Sequence, residues 1–174
     1  TSYYSYDLGT WHIVVLNTNA NCKDVPCSTG SAQERWLRAD LAAHPAACTL
    51  AYWHHPLFSS GPYPGSEPEV RPLWQALYEH GAEAVLNGHA HKYERYAPQD
   101  PNGAVDAIRG IREFVVGTGG SELHPIETLA RNVEAWDDNT HGVLQLTLRP
   151  TGYDWRFLPV AGRTFTDSGS GNCH

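Results

Sequence analysis

Two short segments concentrate this chain's capacity for chemistry, Tyr52-Trp53-His54-His55-Pro56 and Gly88-His89-Ala90-His91. Each ends a short apolar run with the composition of a buried strand, so each delivers imidazoles to the carboxyl edge of a sheet. Neutral imidazole nitrogens converging there are metal ligands suited to zinc, iron or manganese, and a metal at such an edge points to hydrolysis. In extended chain His89 and His91 project from one face and Ala90 from the other, while Gly88 permits a sharp exit from the strand. By the same rule His54 and His55 face opposite ways, so one of them enters the cleft. Spacing does not choose between them. Tyr93 and Arg95 continue on the face of His89 and His91; either they approach the ligands or substrate, or they serve packing and an ion pair.

The elements that must position these residues follow from patterning. Residues 11–17, 48–54 and 83–87 are apolar, β-branched runs expected as central strands. Between the first two, Ser31-Ala32-Gln33-Glu34 is a capping box opening a helix that ends near His44-Pro45. Between the last two, a turn-rich loop at 59–66 precedes a helix with Val70, Leu73, Trp74 and Leu77 inward, closed by Gly81. Strand–helix–strand–helix–strand is the order of a parallel α/β sheet. Beyond His91 the pattern becomes short strands at 112–117, 142–148 and 153–158, the last two joined as a hairpin. Residues 117–120, rich in glycine, fit a plain turn better than an anion cradle. Residues 168–171 are expected to form a flexible tail. Of the ten histidines, His12, His44, His80, His124 and His174 are expected at the surface or at helix ends, and His141 nearer the site edge.

A length of 174 residues with 41% hydrophobic and 18% charged residues suits one globular domain. The net charge of −7, with no basic run, argues against a nucleic-acid or anionic-membrane partner. No stretch has the length of a membrane span. The chain contains no methionine, as expected of a processed product or part of a longer reading frame. Cys22, Cys27, Cys48 and Cys173 lack metal-ligand spacing and favour disulfides in a secreted, extracellular protein. Cys22 with Cys27 closes a small loop and leaves Cys48 for Cys173; two other pairings remain open.

The paired histidine segments, separated by one helix and one strand, resemble those of the calcineurin-like metallophosphoesterases, and most of all the purple-acid-phosphatase-like branch. The resemblance rests on Tyr52-Trp53-His54-His55-Pro56, on Gly88-His89-Ala90-His91 continued by Lys92-Tyr93-Glu94-Arg95, and on the opening strand residues. It implies the carboxyl-terminal portion of a four-layer α/β/β/α sandwich, with mixed sheets flanked by helices and residues 1–174 forming a single partial domain. It implies that His54, rather than His55, is a ligand. His54 and His89 would hold one metal ion and His91 a second, with His55, Tyr93 and Arg95 around them. The substrate implied is a phosphate ester. The family's amino-terminal segments, Asp-x-His, Gly-Asp-x-x-Asp/Tyr and Gly-Asn-His-Asp/Glu, do not occur here. The missing amino-terminal half of the domain would therefore supply the remaining ligands and the leaving-group acid, and the 174 residues alone are expected to be weakly active. Two other readings are a mononuclear three-histidine zinc hydrolase and a non-catalytic scaffold or binding fragment.

Overall fold

The computed structural model describes residues 2–61 and 64–174; Pro62 and Tyr63, inside the expected turn-rich loop, and Thr1 lie outside the described residues. Four parallel strands form the middle of a seven-stranded mixed sheet: β2 (Trp11–Val15), β3 (Cys48–Tyr52), β4 (Ala84–Asn87) and β6 (Arg112–Val116). The edges are antiparallel: β1 (Tyr4–Leu8) beside β2, and β5 (Tyr93–Tyr96) with β7 (Val133–Asp137) beyond β6. β5 thus follows β4 in sequence but lies on the far side of β6, so the segment between them crosses the carboxyl end of β6. β8 (Gly142–Arg149), β9 (Gly152–Pro159) and β10 (Ser168–Asn172) form a second, antiparallel sheet.

Burial on both faces explains the continuous apolar runs of the parallel strands. One face carries the helices α2 (Ala32–Ala43) and α3 (Arg71–Glu79), whose Leu37, Leu41, Leu73, Trp74 and Leu77 pack on Val14, Ala51, Trp53 and Val85. Ser31 Oγ accepts from Glu34 N at 3.2 Å, as the capping box requires, while Glu34 Oε2 accepts from Gly30 N. The other face packs Trp11, Ile13, Leu50 and Phe114 against Tyr153 and Trp155 of the second sheet. Three layers, helix, sheet and sheet, are present among the described residues.

β10 corrects the expected flexible tail. Its glycines let the backbone lie against aromatic rings: a Cβ on Gly169 would come within 2.4 Å of Trp155, and one on Gly171 within 2.6 Å of Tyr153. Two disulfides, Cys22–Cys27 and Cys48–Cys173, have the pairing favoured above. The second spans 125 residues and removes about 5 kcal/mol of unfolded-chain freedom in the loop-entropy picture. The first closes a turn, α1 (Asn19–Cys22), in which Ala20, Asn21 and Cys22 all have left-handed backbone, φ 49°, 52° and 62°.

His12 also departs from expectation. It is buried, with Nδ1 2.8 Å from Asp7 Oδ1 and Nε2 2.9 Å from Asp40 Oδ2. Carboxylates only accept, so both ring nitrogens carry protons and the ring is an imidazolium clasping β1, β2 and α2. Burial opposes that charge, but the two carboxylates outweigh it and raise the pKa above 6.5. The clasp therefore contributes fully below about pH 6.5 and is lost as pH rises through the folded value. We predict that the urea midpoint falls on going from pH 6 to pH 9 and that His12→Gln flattens this slope. Parallel profiles for the two proteins would refute the clasp.

Candidate metal centre

Three parallel strand ends meet at the carboxyl edge. β3 stops at Tyr52; Trp53 N still donates to Leu86 O at 3.1 Å, and the chain then bends. Gly88 N donates to His54 O at 3.0 Å, which ties the end of β4 to that bend. From beyond β2, buried Thr18 accepts His55 N at 3.2 Å through Oγ1, which also lies 2.8 Å from His55 Nδ1.

The outcome is a cluster of His54, His55 and His89. His54 Nε2 and His89 Nδ1 lie 3.2 Å apart, and the ring of His55 is centred 4.8 Å from His54 and 4.4 Å from His89. One nitrogen from each of the three falls within 4.8 Å of the others. Two expectations are corrected here. The opposite-facing rule for His54 and His55 fails because the strand has ended and the backbone is no longer extended. Strand alternation does not govern His89 and His91 either, because residues 88–92 form a tight turn: His89 has φ 61°, Ala90 N donates to Gly88 O, and Lys92 N donates to Ala90 O.

His91 consequently stands beside the cluster and not within it. Its Nδ1 is 2.8 Å from Glu122 O; a carbonyl can only accept, so Nδ1 carries the proton and Nε2 keeps a free lone pair. Its ring stacks on His124 at 4.3 Å, and His124 N donates to His91 O at 2.9 Å. His124, expected at the surface, therefore buttresses the site, while His141 reaches the same loop through Ser121 O. Tyr93 and Arg95 are directed elsewhere. Both bind Asp167 at 2.7 Å, and Arg95 lies 5.0 Å over the Trp155 ring, which joins the two sheets.

Buried glutamate side chains hold the loop that carries His54 and His55. Fully buried Glu113 accepts from Leu57 N at 3.0 Å and Phe58 N at 3.1 Å, and fully buried Glu94 accepts Ser60 N and Ser59 Oγ. Lys92 Nζ donates to Ser60 O. Gly117 is fixed by close approach, since a Cβ there would stand 2.0 Å from Ala90 O, and its N–H is taken by Lys92 O. The glycine-rich stretch is thus a turn packed under residues 88–92. Gly117→Ala is expected to cost about 1–3 kcal/mol by overpacking and to displace His89; thermal unfolding together with zinc titration checks both, and unchanged values would contradict the packing.

Electrostatics favour neutral rings. Burial, helped by the charges of His89 and His91, lowers the pKa of His54. Burial, then His89 and His54, pushes His55 down to about 4. Neutral rings at His54 and His55 can act as ligands near neutral pH, and His54 Nε2 stands 3.2 Å from His89 Nδ1, so the donor set fits a borderline-soft divalent cation. A second cluster, His12, Asp40 and His44, is already occupied by its own ion pairs.

Comparison with known proteins places this geometry. No protein-family model matches the chain. Purple acid phosphatase 15 of Arabidopsis thaliana is 33% identical over 126 residues, covering 70% of this chain and 22% of the plant protein. An acid phosphatase of Aspergillus ficuum is 33% identical over 116 residues, covering 63% of this chain and 19% of the fungal protein. The chain thus spans a small part of the length of these relatives. The solved structure of purple acid phosphatase PPD1 from yellow lupin seeds superposes with a TM-score of 0.80 over 97% of this chain and 32% of the lupin chain, at 20% identity. That likeness shows the fold.

Proposed function

We propose, on the premise that the chain belongs to the purple-acid-phosphatase-like branch of the calcineurin-like metallophosphoesterases, that it forms the histidine-bearing part of a metal-dependent phosphoesterase site. The observation that carries this reading is the facing pair His54 Nε2 and His89 Nδ1, 3.2 Å apart at the carboxyl ends of two neighbouring parallel strands. In this reading His54 and His89 hold one cation and His91, through its free Nε2, contributes to a second. Bound there, such cations polarise a phosphate ester and acidify water. The chain's residues hold the ligands in register: Thr18 orients His55 beside the pair, and Glu113 and Glu94 fix the loop behind them.

With a net charge of −7, cations rather than basic side chains would attract the anionic ester. Residues 1–174 are read as a single partial domain, the remaining ligands and the leaving-group acid coming from an amino-terminal half. Two disulfides support an exported protein. The test is calorimetric titration with Zn²⁺ or Mn²⁺, together with turnover of 4-nitrophenyl phosphate. The expected result is metal binding that is lost in His54→Ala and low hydrolysis that falls with it. Unaltered metal affinity in His54→Ala would overturn the reading.

A further inference from the structure

We propose that Glu67 is a positioning residue for His89, holding the Nε2 side of the ring so that the Nδ1 lone pair faces His54. This deepens the metal-site reading and rests on it for its function, although the ring geometry stands by itself. Glu67 Oε1 lies 3.6 Å from His89 Nε2, slightly beyond hydrogen-bond distance. Its other oxygen, Oε2, accepts from Asn21 Nδ2 at 2.8 Å. Its own N–H donates to Pro56 O at 3.0 Å, in the segment that carries His54 and His55. The carboxylate is thus fixed from two sides, by the ligand loop and by the left-handed turn that Cys22–Cys27 closes.

The ring has two neutral tautomers. With the proton on Nδ1, the Nε2 lone pair would face the carboxylate of Glu67, and the two repel. With the proton on Nε2, the ring N–H lies on the Glu67 side and Nδ1 keeps its lone pair on the His54 side, as hydrogen-bond acceptor or metal ligand. A carboxylate on the far nitrogen of a ligating histidine sets tautomer and ring orientation and strengthens the donor.

The test has two readouts on the same 174-residue chain. Long-range ¹H–¹⁵N correlation of the metal-free protein reports which His89 nitrogen is protonated, and calorimetry reports Zn²⁺ affinity. We expect the Nε2–H form in the native chain and in Glu67→Gln, which keeps an acceptor oxygen. Glu67→Ala is expected to give mixed tautomers and about 10–100-fold weaker zinc binding. Asn21→Ala should fall between them. An Nδ1–H ring in the native chain, or Glu67→Ala with native tautomer and affinity, overturns the proposal. A native chain that binds no zinc but shows a Glu67-dependent tautomer would support the positioning role and sink the metal reading instead.

Discussion

Replacing His89 with glycine is expected to leave the chain as stable as before while removing most of its zinc affinity. A left-handed residue with a Cβ costs roughly 1–2 kcal/mol, and His89 at φ 61° carries that burden. Glycine removes it, though its freer unfolded state returns roughly 0.5–1 kcal/mol. The net change in unfolding free energy is therefore near zero or slightly favourable. Zinc affinity behaves differently, because the substitution deletes one of the two facing nitrogens. A full set of zinc ligands is worth roughly 10–16 kcal/mol, so one ligand represents about 3 kcal/mol, or about 100-fold in Kd. Urea melts and zinc titration of His89→Gly separate the two effects. A variant with native zinc affinity would remove His89 from the ligand set, and one much less stable would show that the turn is not strained.

Glu113→Ala is expected to be the most damaging single change to the loop behind the site. It strips the acceptor from the Leu57 and Phe58 amides, and each unpaired donor out of water costs about 1–3 kcal/mol. A total of about 2–6 kcal/mol follows, together with release of the loop that carries His54 and His55. Glu113→Gln keeps an acceptor oxygen and is expected to be far milder. pH separates the glutamine variant from the native chain. Burial, which outweighs the two backbone donors, holds the Glu113 carboxyl well above its usual range, with Glu94 adding to the rise. Its contribution is therefore complete below about pH 4.5 and lost as pH rises through the folded value. The native chain should lose its advantage over Glu113→Gln as pH rises above about 4.5. Equal pH slopes for the two would show that burial does not raise the carboxyl's pKa.

The strands that deliver the histidines were legible because β-branched runs buried on both faces carry a strong local signature. The capping box at Ser31 and the glycine stop at Gly81 marked helix ends for equally local reasons. What the sequence did not disclose lies where the chain leaves its regular elements. Alternation predicts side-chain direction inside a strand, and both His54 and His89 lie beyond the last ladder residue. Turn backbone brings His54 and His55 toward one point and carries His91 aside to Glu122 and His124. The buried ionisable side chains Glu94, Glu113 and Lys92 were equally hidden. Charged side chains read as surface, and Glu113 finds its backbone partners 55 and 56 residues earlier. Residues 168–171 looked like a tail because nothing local reveals that Trp155 and Tyr153 need a backbone without side chains against them.

The bridge between Cys48 and Cys173 encloses β3 through β10. A protease that cuts one peptide bond anywhere in that span, for example in the exposed stretch 119–122, leaves both pieces covalently joined. Such nicked molecules should migrate as one band on a denaturing gel without reductant and as two bands once a thiol is added.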